Sequence, residues 1–520
     1  MKPLSRPCRS RRARASAACA VALLLVFYGC ATPNLPPIEG AAAPARFTHP
    51  APSAAAAPVA AATPADGAWW RLYADPALDA AVQRAMAASP QLQQALTRLE
   101  QSRALARAAG AAQRPQLGLN AGVSRQGGPL INAAGADGTL LRAGLAAELE
   151  MDVGGRLSMA ARAAQLDAEQ REALWRAARL QLQADVAATW QALRSLDAQR
   201  ATLRRSAAAQ HETARLIERR ERAGLASPAD SGAARAEAVA LDAQALALDR
   251  ERAAQHIALA HLLGAHHVDV ASTLAPDPLA APAADATRAP AALPDPPVVP
   301  PGIPSAVLSR RPDVAAAERA MQAARQRVGV AGAAALPGIT LTASGGVASA
   351  DLGELLRSSA RSWGLGALLS LPLFDGGRRD AETDAARAAH DAAVAAWRGQ
   401  MLTALREVEE QLSALRHLAA EAAARRTALD ESTRVLALTR SRLERGLVGT
   451  LEVFDAERRA LRDALAAAQV QGARHAATVA LVRALGGGWG DATATAGAAA
   501  LADLVASSPA AARPLTMETR

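Results

Sequence analysis

Aromatic residues make up only 2% of this 520-residue chain, and cysteine occurs three times, as Cys8, Cys19 and Cys30. Two of the cysteines fall in an N-terminal segment with the features of a removed signal. The remainder keeps one, which excludes an internal disulfide and a cysteine metal site. Long apolar runs are scarce as well. After the signal the longest uncharged stretch, 328–350, is interrupted by Pro337 and five glycines, so a single helix does not span a bilayer there and any crossing must use strands. A phosphate-binding loop, a zincin helix, a nucleophile elbow and a Cys/His dyad are all missing, which argues against an enzyme. The excess of positive charge is smaller than it looks. Of a net +9, six basic residues (Lys2, Arg6, Arg9, Arg11, Arg12 and Arg14) lie in the first fourteen positions. About +3 is left on a remainder whose acids and bases interleave, and no general nucleic-acid signature survives.

What is present begins with an export signal. The basic run is followed by apolar residues from Ala15 to Phe27, then by Gly29 and Cys30. Val26-Phe27-Tyr28-Gly29-Cys30 resembles a lipobox, which makes Cys30 the lipidated first residue of the mature chain. Ala31 follows it, where an aspartate would point to retention in the inner membrane.

Two halves of the chain align at a shift of 222 residues: Ser89-Pro90 with Arg311-Pro312, Pro115 with Pro337, Gly154-Gly155-Arg156 with Gly376-Gly377-Arg378, Gly224-Leu225 with Gly446-Leu447, and Leu263-Gly264 with Leu485-Gly486. Turn residues recurring without insertion mean a duplicated unit rather than a solenoid. The implied organisation is a signal over 1–29, an Ala/Pro-rich anchored linker over 30–65, a first repeat over 66–270, a Pro-rich linker over 271–302, a second repeat over 303–488 and a tail over 489–520.

Within each half the periodicity runs from 3.6 to 2 and back to 3.5. In 116–124, Leu117, Leu119, Ala121 and Val123 alternate with Gln116, Gly118, Asn120 and Ser124. In 339–344, Ile339, Leu341 and Ala343 alternate with Thr340, Thr342 and Ser344. The next strand sets Leu141 to Met151 against Arg142, Gly144, Glu148, Glu150 and Asp152, and its mate sets Trp363 to Leu373 against Gly364, Gly366 and Ser370. Runs of about ten residues match tilted bilayer-spanning strands, and the three acids then read as a polar barrel interior. The strands lead into proline-free helices over about 155–222 and 378–444. Their Leu182, Val186, Leu193, Leu196 and Leu203, and Val394 to Leu418, recur at coiled-coil spacing. Each such helix is about 100 Å long. Each ends at a glycine-containing tip and is followed by a return helix of about 35 residues. A single opening helix is expected in each half, over about 79–112 and 306–334. Four strands cannot close a barrel, and an open edge is not tolerated in lipid, so several chains must share one.

These residues resemble the TolC/OprM-type outer-membrane efflux ducts, in the lipoprotein branch associated with resistance-nodulation-division pumps. The resemblance rests on Trp69-Trp70-Arg71-Leu72-Tyr73-Ala74-Asp75-Pro76-Ala77-Leu78, on Pro304 to Asp313 with Ala317-Glu318, and on the two Gly-Leu tips, and it covers about 66–488. It implies an α+β membrane protein in the outer membrane: a homotrimeric duct with a 12-stranded β-barrel continuous with a helical tunnel in the periplasm. It also implies a periplasmic adaptor and an inner-membrane pump as partners, and no cofactor. Glu452 and Asp455 stand where such ducts ring the periplasmic opening with carboxylates, which repel one another and attract cations. Asp230 matches an acid that ties neighbouring helices shut. Its usual basic partner is replaced by Val448, with Arg445 and Arg442 close in sequence. Gly224, Leu225, Ser227, Gly446, Leu447 and Thr450 match the tips that meet the adaptor. The family's aromatic girdle is reduced here to Trp363 and Phe374.

His256, His261, His266 and His267 do not form a metal site, because a five-residue step leaves two imidazoles about 140° apart around a helix. Gly486-Gly487-Gly488 reads as a helix stop. A passive duct for drugs or other toxic small molecules is the favoured reading. The others are a lipid-anchored coiled-coil scaffold without a pore, a duct for metal ions, or one for type I protein secretion.

Overall fold

The structure is a computed structural model that describes residues 44, 46–48, 67–126, 138–265, 293–300 and 304–487. Cys30, His266, His267, Gly488 and the tail lie outside the described residues. After a 3₁₀ turn, Trp69–Tyr73, come α1 (Pro76–Ala88), α2 (Pro90–Ala111), β1 (Gln116–Gln126), β2 (Gly138–Met151), α3 (Arg156–Arg222) and α4 (Pro228–Leu262). The second half repeats the order with α5 (Pro304–Arg310), α6 (Pro312–Ala333), β3 (Gly338–Ser349), β4 (Arg361–Ser370), α7 (Arg378–Glu444) and α8 (Thr450–Ala484). Element lengths recur between the halves: 22 residues for α2 and α6, 67 for α3 and α7, and 35 for α4 and α8. Among the described residues no helix is long and apolar enough to cross a membrane.

The opening helix of each half is not single. A proline disfavours helical backbone in the residue before it. Ser89, ahead of Pro90, is accordingly extended at φ −67°, ψ 119°, and Arg311 lies outside the helices on either side of it. Asp75 starts α1 by accepting from Ala77 N (3.0 Å) and Leu78 N (3.3 Å), with Pro76 at the first helical position.

The chain divides into two compact units. One holds 96–173 and 315–400 and contains all four strands. Its sheet has the order β1-β2-β3-β4, antiparallel throughout. Asp152 falls beyond β2 and does not share the strand's polar face. Its two oxygens accept from Leu157 N and Ser158 N at 2.8 Å, which makes it a cap for the start of α3. Leu371 and Leu373 likewise lie past the end of β4. Beside the strands, Arg103–Glu172 (2.9 Å), Arg319–Glu169 (3.3 Å) and Arg327–Asp167 tie helices together.

The other unit holds 42–95, 174–314 and 401–520. Its core takes Trp69, Leu78 and Val82 from the N-terminal segment, Val186, Trp190 and Leu193 from α3, Val408 and Leu412 from α7, and Leu481 and Leu485 at the end of α8. The coiled-coil spacing is thus expressed as a buried seam in α3 and in α7 from Met401 to Leu415. Further along, Arg200, 2% exposed, binds Asp249 at 2.6 Å, and Arg252 binds Asp197 at 2.6 Å, joining α3 to α4. The segment read as the end of a linker is pinned here: Gln471 Nε2 and His475 Nε2 donate to the Pro294 carbonyl, Arg474 pairs with Asp295, and Val299 is buried.

Candidate functional site

Two features are equipped for transport, and each lies within one unit. The first is the sheet. Antiparallel partners that stand opposite each other share a face, and the register aligns Leu119, Leu145, Gly345 and Trp363 in one row. Leu117, Ala147, Ala343 and Leu365 form the next, and Met151, Ile339 and Leu369 another. The alternation read from sequence therefore becomes one apolar face four strands wide, and its side chains are open: Leu119 is 75% exposed and Trp363 81%. The opposite face carries Gln116, Asn120, Arg142, Glu148, Glu150, Thr340, Thr342 and Ser344, interspersed with glycines. Glu150 accepts two bonds from Arg156 at 2.6 and 2.8 Å. On this face Gly144 and Gly346 stand opposite each other where two backbones crowd. A Cβ on Gly346 would lie 2.4 Å from the Ala143 carbonyl oxygen, and one on Gly144 2.9 Å from that of Gly345. Glycine at both positions lets the two backbones approach where no side chain would fit. The alternation places Gly144 on the polar face but does not call for glycine at 144 or 346, because the contact that requires it is between strands far apart in the chain.

The second feature is the pair of helical tips, which repeat one backbone design. Gly224 and Gly446 have φ of +71° and +69°. Leu225 N donates to Arg220 O and Leu447 N to Arg442 O, six-residue closures that satisfy the ends of α3 and α7. Both leucines then project, 78% and 64% exposed. Beyond them the tips differ. Ser227 and Asp230 form a reciprocal capping box at the start of α4, with Asp230 N donating to the Ser227 hydroxyl at 3.1 Å and Ser227 N to the Asp230 carboxylate at 3.3 Å. Asp230 is therefore occupied within its own chain. At a shift of 222, Ser227 becomes Gly449 and Asp230 becomes Glu452. Gly449 has no side chain to cap α8, and Glu452 is exposed without a bonded partner among the described residues.

Asp455 is also exposed and receives Arg458 at 3.2 Å. Val453 and Phe454, between the two acids, are buried, and Phe454 packs with Ala214, Ile217 and Ala234. Burying these two fixes Glu452 and Asp455 on the outward side of the same turn. Thr450 opens α8. Val448 is half-buried, while Arg442 and Arg445 are exposed and form no ion pair among the described residues. Among the described residues no base of its own chain pairs with Asp230. Among the described residues no group of three His, Cys, Asp or Glu is placed to hold a metal.

Trp69-Trp70 and Arg310-Arg311-Pro312-Asp313, which carry the family resemblance, have a role in packing. Trp190 donates to Asp75 (2.8 Å) and Trp70 to Asp79 (2.7 Å), so one tryptophan braces the cap of α1 and another its first turn. Arg311, 5% exposed, reaches Asp313 with two nitrogens (3.0 and 2.6 Å), Glu407 (2.8 Å) and the Ala484 carbonyl (3.0 Å).

The profile of the outer membrane efflux protein family matches residues 81–265 and 303–487, one match per repeat. The outer membrane protein OprJ of Pseudomonas aeruginosa is 33% identical over 425 residues, which cover 81% of this chain and 86% of OprJ. The pyoverdine export outer membrane protein OpmQ of the same species is 31% identical over 433 residues, covering 81% of this chain and 87% of OpmQ. Among solved structures, the outer membrane protein VceC of Vibrio cholerae superposes with a TM-score of 0.73 at 28% identity, over 81% of this chain and 99% of VceC. With the duplication, the two-faced sheet and the match over both repeats, this chain belongs to the outer membrane efflux protein family and is an outer-membrane efflux channel.

Proposed function

We propose that three copies of this chain close their sheets into one 12-stranded barrel and form a passive duct that exports small toxic molecules. An inner-membrane pump and a periplasmic adaptor hand the substrate over. The observation that carries the reading is the sheet, apolar on one face and polar on the other, with β1 and β4 as open edges. An edge in lipid leaves unpaired amide and carbonyl groups that cost several kcal/mol each, and pairing β4 of one copy with β1 of the next removes every edge. The projecting Leu225 and Leu447, with Gly224, Ser227, Gly446 and Thr450 shaping their turns, offer apolar knobs for the adaptor. Glu452 and Asp455 serve as the periplasmic gate: three copies set six carboxylates around one aperture, and Glu452 carries the larger share because its charge has no partner among the described residues. Asp230, held in its capping box, contributes to the gate through the shape of the tip. Cys30 carries the lipid anchor.

The test has two parts. The protein mass of the detergent-solubilised particle should equal three mature chains, and a monodisperse monomer refutes the shared barrel in favour of a scaffold without a pore. In planar bilayers, Glu452→Ala with Asp455→Ala should raise ion conductance, and an unchanged conductance removes these residues from the gate.

A further inference from the structure

The apolar face of the sheet ends in charge at one edge of its height only. Arg125 follows Val123 on that face of β1, and Arg361 precedes Trp363 on that face of β4. Both stand at the strand ends remote from the helices, since β1 runs outward from α2 and β4 runs inward toward α7. Both are exposed, and neither has an ion pair or side-chain hydrogen bond among the described residues. Of the two acids in the β3–β4 connection, Glu354 is taken by Arg357 at 2.7 Å, and Asp351 forms no ion pair with either arginine among the described residues. From Leu117 to Arg125 the strand rises about 26 Å, which a tilt near 40° reduces to about 20 Å, close to the height of an outer-membrane apolar band. The two guanidinium groups therefore lie at the lipid–water boundary of the leaflet that faces away from the helices.

β1 and β4 are opposite edges of one sheet. In the three-copy barrel, on which this inference rests, β4 of one copy runs beside β1 of the next, so Arg361 and Arg125 of neighbouring copies stand on adjacent strands at the same rim, both on the lipid-facing side. Two cations without a partner among the described residues then share one junction, where an anion reached by both side chains would offset their repulsion. The planar donor forks of arginine match phosphate oxygens. We propose that each junction between copies, through Arg125 of one and Arg361 of the other, binds a phosphate of the phosphorylated glucosamine lipid of the outer leaflet, giving three such sites per duct.

Native mass spectrometry of the full-length, detergent-released protein titrated with bisphosphorylated lipid A tests this, because one spectrum reads both assembly and bound lipid. We expect wild-type trimers to take up to three lipid A molecules. Removing one arginine should weaken binding about fivefold and Arg125→Gln with Arg361→Gln about 25-fold, from the worth of a basic residue beside an anionic lipid surface. Lipid A stripped of both phosphates should bind wild type no better than intact lipid binds the double variant. Arg142→Gln, on the polar face, should change nothing. If the double glutamine variant does not assemble, Arg125→Lys with Arg361→Lys keeps the charge without the fork and should bind between the two extremes. Trimers of the double variant that bind lipid A within twofold of wild type overturn this inference alone, as does equal binding of the dephosphorylated lipid. A spectrum of monomers overturns the shared barrel, and the site with it.

Discussion

Arg311→Met keeps much of the side chain's volume and removes its charge and donors, so it measures what this guanidinium does for the helices around it. Three acceptors lose a partner at once: the Asp313 carboxylate, the Glu407 carboxylate and the Ala484 carbonyl at the end of α8. Removing one member of a buried charged cluster costs about 3–5 kcal/mol. Asp313 and Glu407 keep side-chain exposures of 29% and 25%, so some water can replace the lost bonds and the lower figure, about 3 kcal/mol, applies. At about 2 °C per kcal/mol for a unit of this size, the melting temperature should fall by about 6 °C. The assay is far-UV circular dichroism of the detergent-solubilised protein against temperature. A pH series adds a second reading. Burial raises the Asp313 carboxyl, but the hydrogen bond and charge of Arg311 outweigh it and hold that group below the usual carboxylate value. A carboxyl depressed in the folded chain stabilises it above the unfolded value and loses that contribution as pH falls through the folded one. Wild type should therefore lose this part of its stability below about pH 4, and Arg311→Met should lack it. Arg311→Lys keeps the charge but cannot hold Asp313 with two nitrogens while reaching Glu407 and Ala484, so it should recover only part of the loss. A methionine variant within 1 °C of wild type, or full rescue by lysine, refutes the account.

Gly346→Val places a Cβ 2.4 Å from the Ala143 carbonyl and should abolish the folded outer-membrane form on heat-modifiability gels. Gly118→Val, with open space around it, should assemble normally, and equal behaviour of the two disproves the crowding. Trp190→Phe leaves Asp75 without one donor and should lower stability by about 1 kcal/mol, and Asp75→Ala should cost more because the cap of α1 goes too; the reverse order in thermal melts counts against the cap. His475 is held below the ordinary histidine value by burial, with Arg474 adding to it, while the bond to the Pro294 carbonyl and the charge of Asp295 oppose. Its unfolded form binds protons more readily, so stability should be complete above about pH 6.5 and decline as pH falls below it. His475→Gln should flatten that decline, and an unchanged slope assigns it to other groups. Ser227→Gly copies the second tip into the first and should free Asp230. We expect altered conductance in planar bilayers with little change in the melting curve, and no change in conductance means the capping box has no part in the gate.

Much of this architecture was written in local pattern. Side chains alternate along a strand because the backbone is pleated, so the faces of 116–124 and 339–344 could be read before any pairing was known. The seam of α3 and α7, the two Gly-Leu tips and the shift of 222 residues depend only on neighbours a few positions apart or on the duplication itself. The breaks at Ser89 and Arg311 are the exception: a single opening helix is expected in each half, although Pro90 and Pro312 act on the residue before them and carry the signal for two. What local pattern did not hold is contact across the chain. The demand for glycine at 346 comes from the backbone at 143 and 144, two strands that meet only in the sheet. Arg311 has a role only because Glu407 and Ala484 arrive beside it from helices about 100 and 170 residues later. Asp152 changed from a strand residue to a cap because its oxygens found the free amides of α3. Asp230 and Glu452, mates in the repeat, parted because one has a serine three residues before it and the other a glycine. Sequence determined which elements form and which face of each is apolar, since periodicity is a property of the chain. Tertiary structure decided which charges are spent and which are free, because a charge is neutralised by whatever lies within a few ångströms of it, however far away in sequence.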